Sequence, residues 1–152
     1  MRYYTHLAFS FFVGLWLIKY LKIENQILFI FLFLFFSLIP DIDETKSKIA
    51  QKTKALSWLI NLFFSHRGLF HAVYIPILLF LLLFNLRMDI AVAVSFGYFS
   101  HIILDCFTVS GIRLLWPLKK RLKGFVRTGG WFENIVFVLF LGLSLYFLVF
   151  VL

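Results

Sequence analysis

Residues 90–109 read IAVAVSFGYFSHIILDCFTV, an apolar run that carries a histidine and an aspartate near its end. A transmembrane helix needs about 20 predominantly apolar residues, so this run predicts a membrane span. His101 and Asp105 are four residues apart, which places both side chains on one face of a helix. Because ionisable side chains are costly in hydrocarbon, they usually face the interior of a helix bundle. The stretch therefore predicts a membrane fold with a polar site inside it.

The composition of the whole chain also indicates a membrane protein. Hydrophobic residues make up 62% and charged residues 14% of the 152 residues, whereas soluble domains have about 45–50% and 25%. This balance excludes a water-soluble domain and also intrinsic disorder. The single cysteine excludes an internal disulfide and a cysteine-based zinc knuckle. The net charge of +8 favours anionic membrane lipids as partners, and we expect no binding to nucleic acid.

Four more apolar runs on either side of residues 90–109 predict further spans. They cover residues 5–21, 23–40, 69–86 and 132–152. The second span is marginal, because its strictly apolar part covers only residues 27–40. The first run lacks a small-residue cleavage site and is soon followed by another apolar run, so we expect a span and not a cleaved signal peptide. The prediction is an all-α, multi-pass transmembrane helix bundle with about five spans, forming a single integral membrane domain over residues 1–152.

Two longer connections have an interfacial character. In residues 48–64, lysines and an asparagine alternate with apolar residues at helical spacing, which predicts a short amphipathic helix in the headgroup layer. Residues 110–131 contain a tryptophan, a Lys/Arg run and then Gly129 and Gly130. We expect a second short interfacial segment there, ending in a flexible start to the last span.

The distribution of Lys and Arg predicts the orientation of the bundle. Most of these residues lie at the N-terminus and in the loops 41–68 and 110–131, which share one side of the predicted bundle. The opposite side has only Lys19, Lys22 and Arg87. By the positive-inside rule the richer side is cytoplasmic. We expect a multi-pass protein of the cell (inner) membrane with a cytoplasmic N-terminus and an outside C-terminus.

Histidines and acids converge on the predicted cytoplasmic side, and each of the five spans contributes at least one. A cluster of carboxylates and imidazoles needs positive charge to offset it, and a divalent metal ion uses both ligand types. This mixed set suits zinc, manganese or iron, as one ion or as a pair. The candidate metal ligands are His6, Asp41, Asp43, His66, His71, His101, Asp105 and Glu133.

Each local pattern also has a purely structural explanation, which the sequence leaves open. Asp41 and Asp43 follow Pro40 on the same side of an extended turn, where they could chelate metal or only solvate the turn. His101 and Asp105 could form a hydrogen bond at a helix end. Glu133 lies in a first helical turn, where an acid complements the helix dipole.

The motifs follow one another in a recognisable order. They are Pro-Asp-Ile-Asp (40–43), His-Arg-Gly-x-x-His (66–71), Gly-Tyr-x-x-His-x-x-x-Asp (97–105), Thr-x-Ser-Gly-Ile-x-Leu-Leu-x-Pro (108–117) and Gly-Gly-x-x-Glu (129–133). This order resembles the YdjM-like family of membrane-bound metal-dependent hydrolases, also described as LexA-binding and inner-membrane-associated. The resemblance extends from His6 to Glu133 and implies an inner-membrane protein with a metal-dependent hydrolytic centre. Phe70 departs from the small hydroxyl residue expected before the second histidine.

The residues favour a hydrolase that acts at the cytoplasmic membrane face on an anionic, lipid-linked or lipid-proximal ester, with a phosphoester preferred. The candidate catalytic residues are Arg67, Asp43 and Asp105. Arg67 could bind a phosphate oxygen, and one of the two aspartates could act as general base. The basic residues at 119–127 could attract an anionic headgroup.

Two other classes of function stay open. A metal or proton transporter places its site near the bilayer midplane, on broken helices, whereas these residues lie at one edge of the bundle. A non-catalytic membrane protein would hold a structural metal, or none, and a structural site closes its coordination with four protein ligands. The sequence does not indicate the oligomeric state.

Overall fold

The computed structural model describes residues 1–41 and 69–150, and within them the regular structure is helical apart from two isolated β-bridges. A 3₁₀ turn, Ile39–Asp41, continues the second helix, and another, Leu69–His71, precedes the third. The all-α prediction is confirmed. In chain order the helices are α1 (Tyr3–Leu21), α2 (Gln26–Leu38), α3 (Tyr74–Leu83), α4 (Met88–Cys106) and α5 (Trp131–Phe150).

Three of these helices, α1, α4 and α5, are long and apolar enough to cross a membrane. The other two are shorter than the spans predicted at residues 23–40 and 69–86, because the ends of both runs form turns instead of α-helix. With 10 residues, α3 extends for about 15 Å, which is half of a hydrocarbon core of about 30 Å.

The central helix of the bundle is α4. It packs against α1, α2 and α3, whereas α5 packs mainly on α1 and leaves most of its apolar surface exposed. Apolar side chains on that outer surface suit contact with lipid tails. The start of α1, the end of α2, the start of α3, the end of α4 and the start of α5 meet at one end of the bundle.

The close contact between α2 and α4 depends on Gly97. A Cβ atom at this position would lie within 3.0 Å of the Phe33 Cα atom and closer still to its carbonyl oxygen. Phe33 is fully buried and belongs to an apolar cluster together with Leu17 and Phe29. Small residues let transmembrane helices approach backbone to backbone, and Gly97 does so here.

Residues 107–130 form no helix, and the segment is hydrogen-bonded up to the start of α5, where the sequence predicted a flexible entry. Bridges between Thr108 and Val126 and between Ile112 and Leu122 fold the segment back on itself. The amide of Gly129, which has a φ of +79°, donates a 2.5 Å hydrogen bond to the Glu133 carboxylate. The start of α5 is therefore held by a cap.

This segment, which we call the basic loop (residues 107–130), is also attached to the bundle. The amide of Val73 donates to the carbonyl of Leu114 at 3.0 Å. Ile112 is fully buried and packs with Tyr98 and Ile102 of α4. The basic loop therefore covers the end of the bundle where α3 begins and α4 ends. The other predicted interfacial helix, at residues 48–64, lies outside the described residues.

Replacement of Gly97 by alanine should destabilise the bundle. The added methyl group meets the backbone of α2, which cannot rotate away, and overpacking of this kind costs about 1–3 kcal/mol. We expect a lower unfolding temperature for Gly97→Ala in detergent, measured by a thermal-shift assay.

Gly142→Ala in α5 is the matched control, because a Cβ atom there meets nothing within 4 Å. A helical alanine is favoured over glycine by about 0.5–1 kcal/mol, so this variant should unfold at the wild-type temperature or above it. Equal unfolding temperatures for Gly97→Ala and the wild type would show that the contact is not tight.

Candidate metal centre

Four potential ligands meet at the end of the bundle. Asp41 ends the 3₁₀ turn after α2, His71 ends the turn before α3, and His101 and Asp105 lie on one face of the last turns of α4. One ligand atom from each lies within 4.8 Å of the others. We call this group the quartet. Asp41 is 24% exposed, whereas the side chains of the other three are at most 2% exposed.

The distances within the quartet are longer than those of hydrogen bonds, and the shortest of them match the separation of two ligands of one ion. His101 Nε2 is 3.4 Å from Asp41 Oδ1 and 3.7 Å from Asp105 Oδ2. His71 Nε2 is 3.5 Å from Asp105 Oδ2 and 4.0 Å from Asp41 Oδ1. Hydrogen bonds between ionised groups measure about 2.7–2.9 Å. Two ligands that are each about 2.0–2.1 Å from a tetrahedral ion are about 3.4 Å apart.

Several ligand atoms of the quartet are buried and have no hydrogen-bond partner among the described residues. They are both ring nitrogens of His71, His101 Nε2 and Asp105 Oδ2. Buried polar atoms are almost always satisfied in native proteins, since an unpaired one is costly. Two imidazoles and two carboxylates with free lone pairs facing one point fit a divalent cation, which would satisfy them together.

The tautomer of His101 also fits a metal ligand. Its Nδ1 donates a 2.8 Å hydrogen bond to the carbonyl oxygen of Ser37, which can only accept. The proton therefore lies on Nδ1, and in the neutral ring Nε2 carries the lone pair toward Asp41 and Asp105. Metal-binding histidines are commonly oriented by such a bond from the other ring nitrogen. Sequence reasoning missed Ser37, because a backbone carbonyl leaves no signal in a residue pattern.

His6 adjoins the quartet from α1. Its side chain is fully buried, and its Nε2 lies 3.4 Å from Asp105 Oδ1. Its ring stacks on that of His101 with a centroid distance of 3.8 Å and an interplanar angle of 8°. The amino group of Met1 lies 2.6 Å from the same Asp105 oxygen. Asp105 thus has basic groups on both of its oxygens.

Glu133 is not part of the quartet, although the sequence placed it among the ligands. One carboxylate oxygen accepts hydrogen bonds from the Arg2 amide at 2.5 Å and the Thr5 hydroxyl at 3.2 Å, and the other accepts from Gly129. It lies at the same end of the bundle as the quartet, but its partners belong to the start of α1 and to the turn before α5. Glu133 fixes the position of the helix that carries His6.

Three further predicted site residues, Asp43, His66 and Arg67, lie outside the described residues. Asp43 follows Asp41 by two positions, and Arg67 precedes His71 by four, so both are close in sequence to members of the quartet. Their assignment as ligand, base or anion-binding group stays a prediction.

Comparison with known proteins identifies relatives of this chain in bacteria. It is 36% identical over 104 residues to the uncharacterized protein YvsG of Bacillus subtilis (strain 168), a match that covers 66% of this chain and 65% of that protein. It is 35% identical over 94 residues to the inner membrane proteins YdjM of Escherichia coli (strain K12) and Shigella flexneri, covering 57% of this chain and 47% of each relative. The matches thus span less than two thirds of these relatives. No solved structure matches the chain.

The family described as YdjM inner membrane protein matches residues 1–152. This agrees with the resemblance of the motifs, and it is consistent with the helices that are long and apolar enough to cross a membrane. The match extends over the whole chain, and the protein therefore belongs to the YdjM inner membrane protein family.

Proposed function

We propose that this protein is a membrane-bound metal-dependent hydrolase whose metal centre is the quartet Asp41, His71, His101 and Asp105. The observation that carries the proposal is that the ligand atoms of the quartet lie within 4.8 Å of one another, and that those of His71, His101 and Asp105 include buried atoms with no hydrogen-bond partner in the described part of the chain. A hydrolytic centre needs an accessible side, and Asp41, at 24% exposed, marks that side.

Zinc, manganese or iron would suit this mixed set of imidazoles and carboxylates. When bound, such an ion would lower the pKa of a bound water to about 7 and so supply hydroxide at neutral pH. The protein would contribute ligands whose geometry is already set, because His101 is oriented by the Ser37 carbonyl and Asp105 is held on a buried helix face.

The roles of the carboxylates follow from their positions. Both oxygens of Asp105 face imidazoles and its side chain is 1% exposed, so this residue suits ion binding better than proton transfer with substrate. Asp43, two residues beyond the partly exposed Asp41, is the better choice as general base. Arg67, close in sequence to His71, would bind a phosphate oxygen through its bidentate guanidinium.

The basic loop supports an anionic substrate. Five of its six cations are exposed: Lys119, Lys120, Arg121, Lys123 and Arg127. The loop is attached beside His71 by the hydrogen bond between the Val73 amide and the Leu114 carbonyl. Cations at a membrane surface attract anionic headgroups. We therefore propose a lipid-linked or lipid-proximal phosphoester as substrate.

The same charges support the orientation. The end of the bundle that carries the quartet also carries the basic loop, and by the positive-inside rule that end is cytoplasmic. The printed names of the Escherichia coli and Shigella relatives describe them as inner membrane proteins. We propose the inner membrane for this protein too, with its N-terminus in the cytoplasm and its C-terminus outside.

Loss of one quartet imidazole should remove metal. We expect His71→Ala to lower the affinity for zinc or manganese at least tenfold, since even residues that only orient a ligand contribute 10–100-fold. Elemental analysis of the detergent-purified protein measures the bound metal. Asp89→Asn is the matched control, because Asp89 pairs with Arg87 at the opposite end of α4. Equal metal content in His71→Ala and the wild type would contradict the proposed centre.

Hydrolysis should depend on Asp41. We expect purified protein to cleave a chromogenic phosphoester, to lose activity with a chelator and to regain it with added metal. Asp41→Ala should lower kcat at least about tenfold, as a ligand contributes no less than the groups that orient it. Ser144→Ala is the control, because its hydroxyl bonds within α5, to the Phe140 carbonyl. Metal binding without hydrolysis of any ester in a lipid-phosphoester panel would favour a structural site.

The basic loop should act on substrate capture and not on metal binding. One lysine near a membrane surface contributes about 1 kcal/mol of attraction, so Lys119→Ala should raise KM for an anionic lipid substrate about fivefold with kcat and metal content unchanged. Lys22→Asn at the other end of the bundle is the control, since Lys22 has a φ of 52° and asparagine tolerates this conformation. Loss of metal from Lys119→Ala would show that this lysine supports the centre itself.

A further inference from the structure

Among residues 1–41 and 69–150, His6 is the one fully buried histidine that the quartet does not use. Both of its ring nitrogens lack hydrogen-bond partners among the described residues, and its side chain is 0% exposed. A core histidine normally places at least one nitrogen on a hydrogen-bond partner. The Nε2 atom instead faces Asp105 Oδ1 at 3.4 Å, the spacing found between ligands within the quartet.

The two carboxylate oxygens of Asp105 face two different groups of basic residues. Oδ2 faces His71 at 3.5 Å and His101 at 3.7 Å, within the quartet. Oδ1 faces His6 at 3.4 Å and the Met1 amino group at 2.6 Å. A carboxylate arranged in this way can bind one cation on each oxygen, and the ammonium group already places a positive charge on the second oxygen.

The spacing of the stacked rings indicates how far apart two such cations would lie. The rings of His6 and His101 are 3.8 Å apart and within 8° of parallel, and the Nε2 atom of each points at a different oxygen of Asp105. Ions bound in line with each ring would therefore be separated by roughly the ring spacing. Hydrolases with two metal ions hold them about 3.5–4 Å apart.

We propose, building on the hydrolase function above, that the centre is binuclear, with Asp105 as the bridging ligand and His6 as a ligand of the second ion. The second ion replaces the Met1 ammonium group on Asp105 Oδ1. It has fewer protein ligands than the first, so it binds more weakly and leaves positions for water and substrate oxygens.

Manganese titration of the detergent-purified full chain tests the proposal without relying on activity. Elemental analysis should give two ions per chain in the wild type, with one binding step tighter than the other. Two Mn²⁺ ions bridged by a carboxylate are spin-coupled, so the EPR spectrum should be a multiline signal with half the hyperfine spacing of an isolated ion.

His6→Phe is the decisive variant, because phenylalanine keeps an aromatic ring to stack on His101 but has no ligand atom. We expect one ion per chain, loss of the weaker step and an uncoupled manganese signal. His6→Ala should give the same stoichiometry, and a thermal-shift assay establishes that both variants are folded. His71→Ala should instead weaken the tighter step.

The outcomes separate this inference from the proposed function. Two ions in the wild type and one in His6→Phe support the binuclear centre. One ion in both proteins overturns it and leaves a mononuclear hydrolase in place. Two ions in both proteins overturn the assignment of His6 as a ligand. No ion in the wild type overturns the binuclear centre and the proposed function together.

Discussion

The buried carboxylate of Asp105 is the constraint on which this end of the bundle depends. It lies at the end of the central helix, is 1% exposed, and would be strongly unfavourable there without positive charge or hydrogen bonds around it. The structure supplies basic groups from the residue Met1 before α1, from α1, from the turn before α3 and from α4 itself: Met1, His6, His71 and His101. A cation that binds Asp105 would therefore also hold the ends of separate helices together.

The groups around this centre act mainly by position. The Ser37 carbonyl fixes the ring of His101, and Glu133 fixes the start of α1 through Arg2 and Thr5. Gly97 lets α2 approach α4 so closely that Ser37 can reach His101. None of these residues needs to contact an ion. Each limits the freedom of a residue that faces Asp105, and such preorganised ligands bind metal without a further cost of rearrangement.

Much of this arrangement could be predicted from the sequence, because the position of a residue within an apolar run indicates how far along the bundle axis it lies. On this basis the sequence placed Asp41, His71, His101 and Asp105 at the same end of the bundle. The sequence could not separate Glu133 from the metal ligands. Glu133 lies at the same end of the bundle but faces the start of α1, and an apolar run does not indicate which neighbouring helix a residue faces. The short α2 and α3 and the folded-back basic loop were also missed, because turns at the ends of apolar runs depend on tertiary contacts such as that between Val73 and Leu114.

The length of α3 has a consequence for the surrounding lipid. A helix of 10 residues is far shorter than the bilayer interior, and a membrane accommodates such hydrophobic mismatch by local thinning. Thinning along α3 would draw the headgroup layer inward on the side of the bundle where His71 precedes the helix. A phospholipid diffusing in that leaflet would then bring its phosphate to the depth of the buried imidazoles without leaving the bilayer.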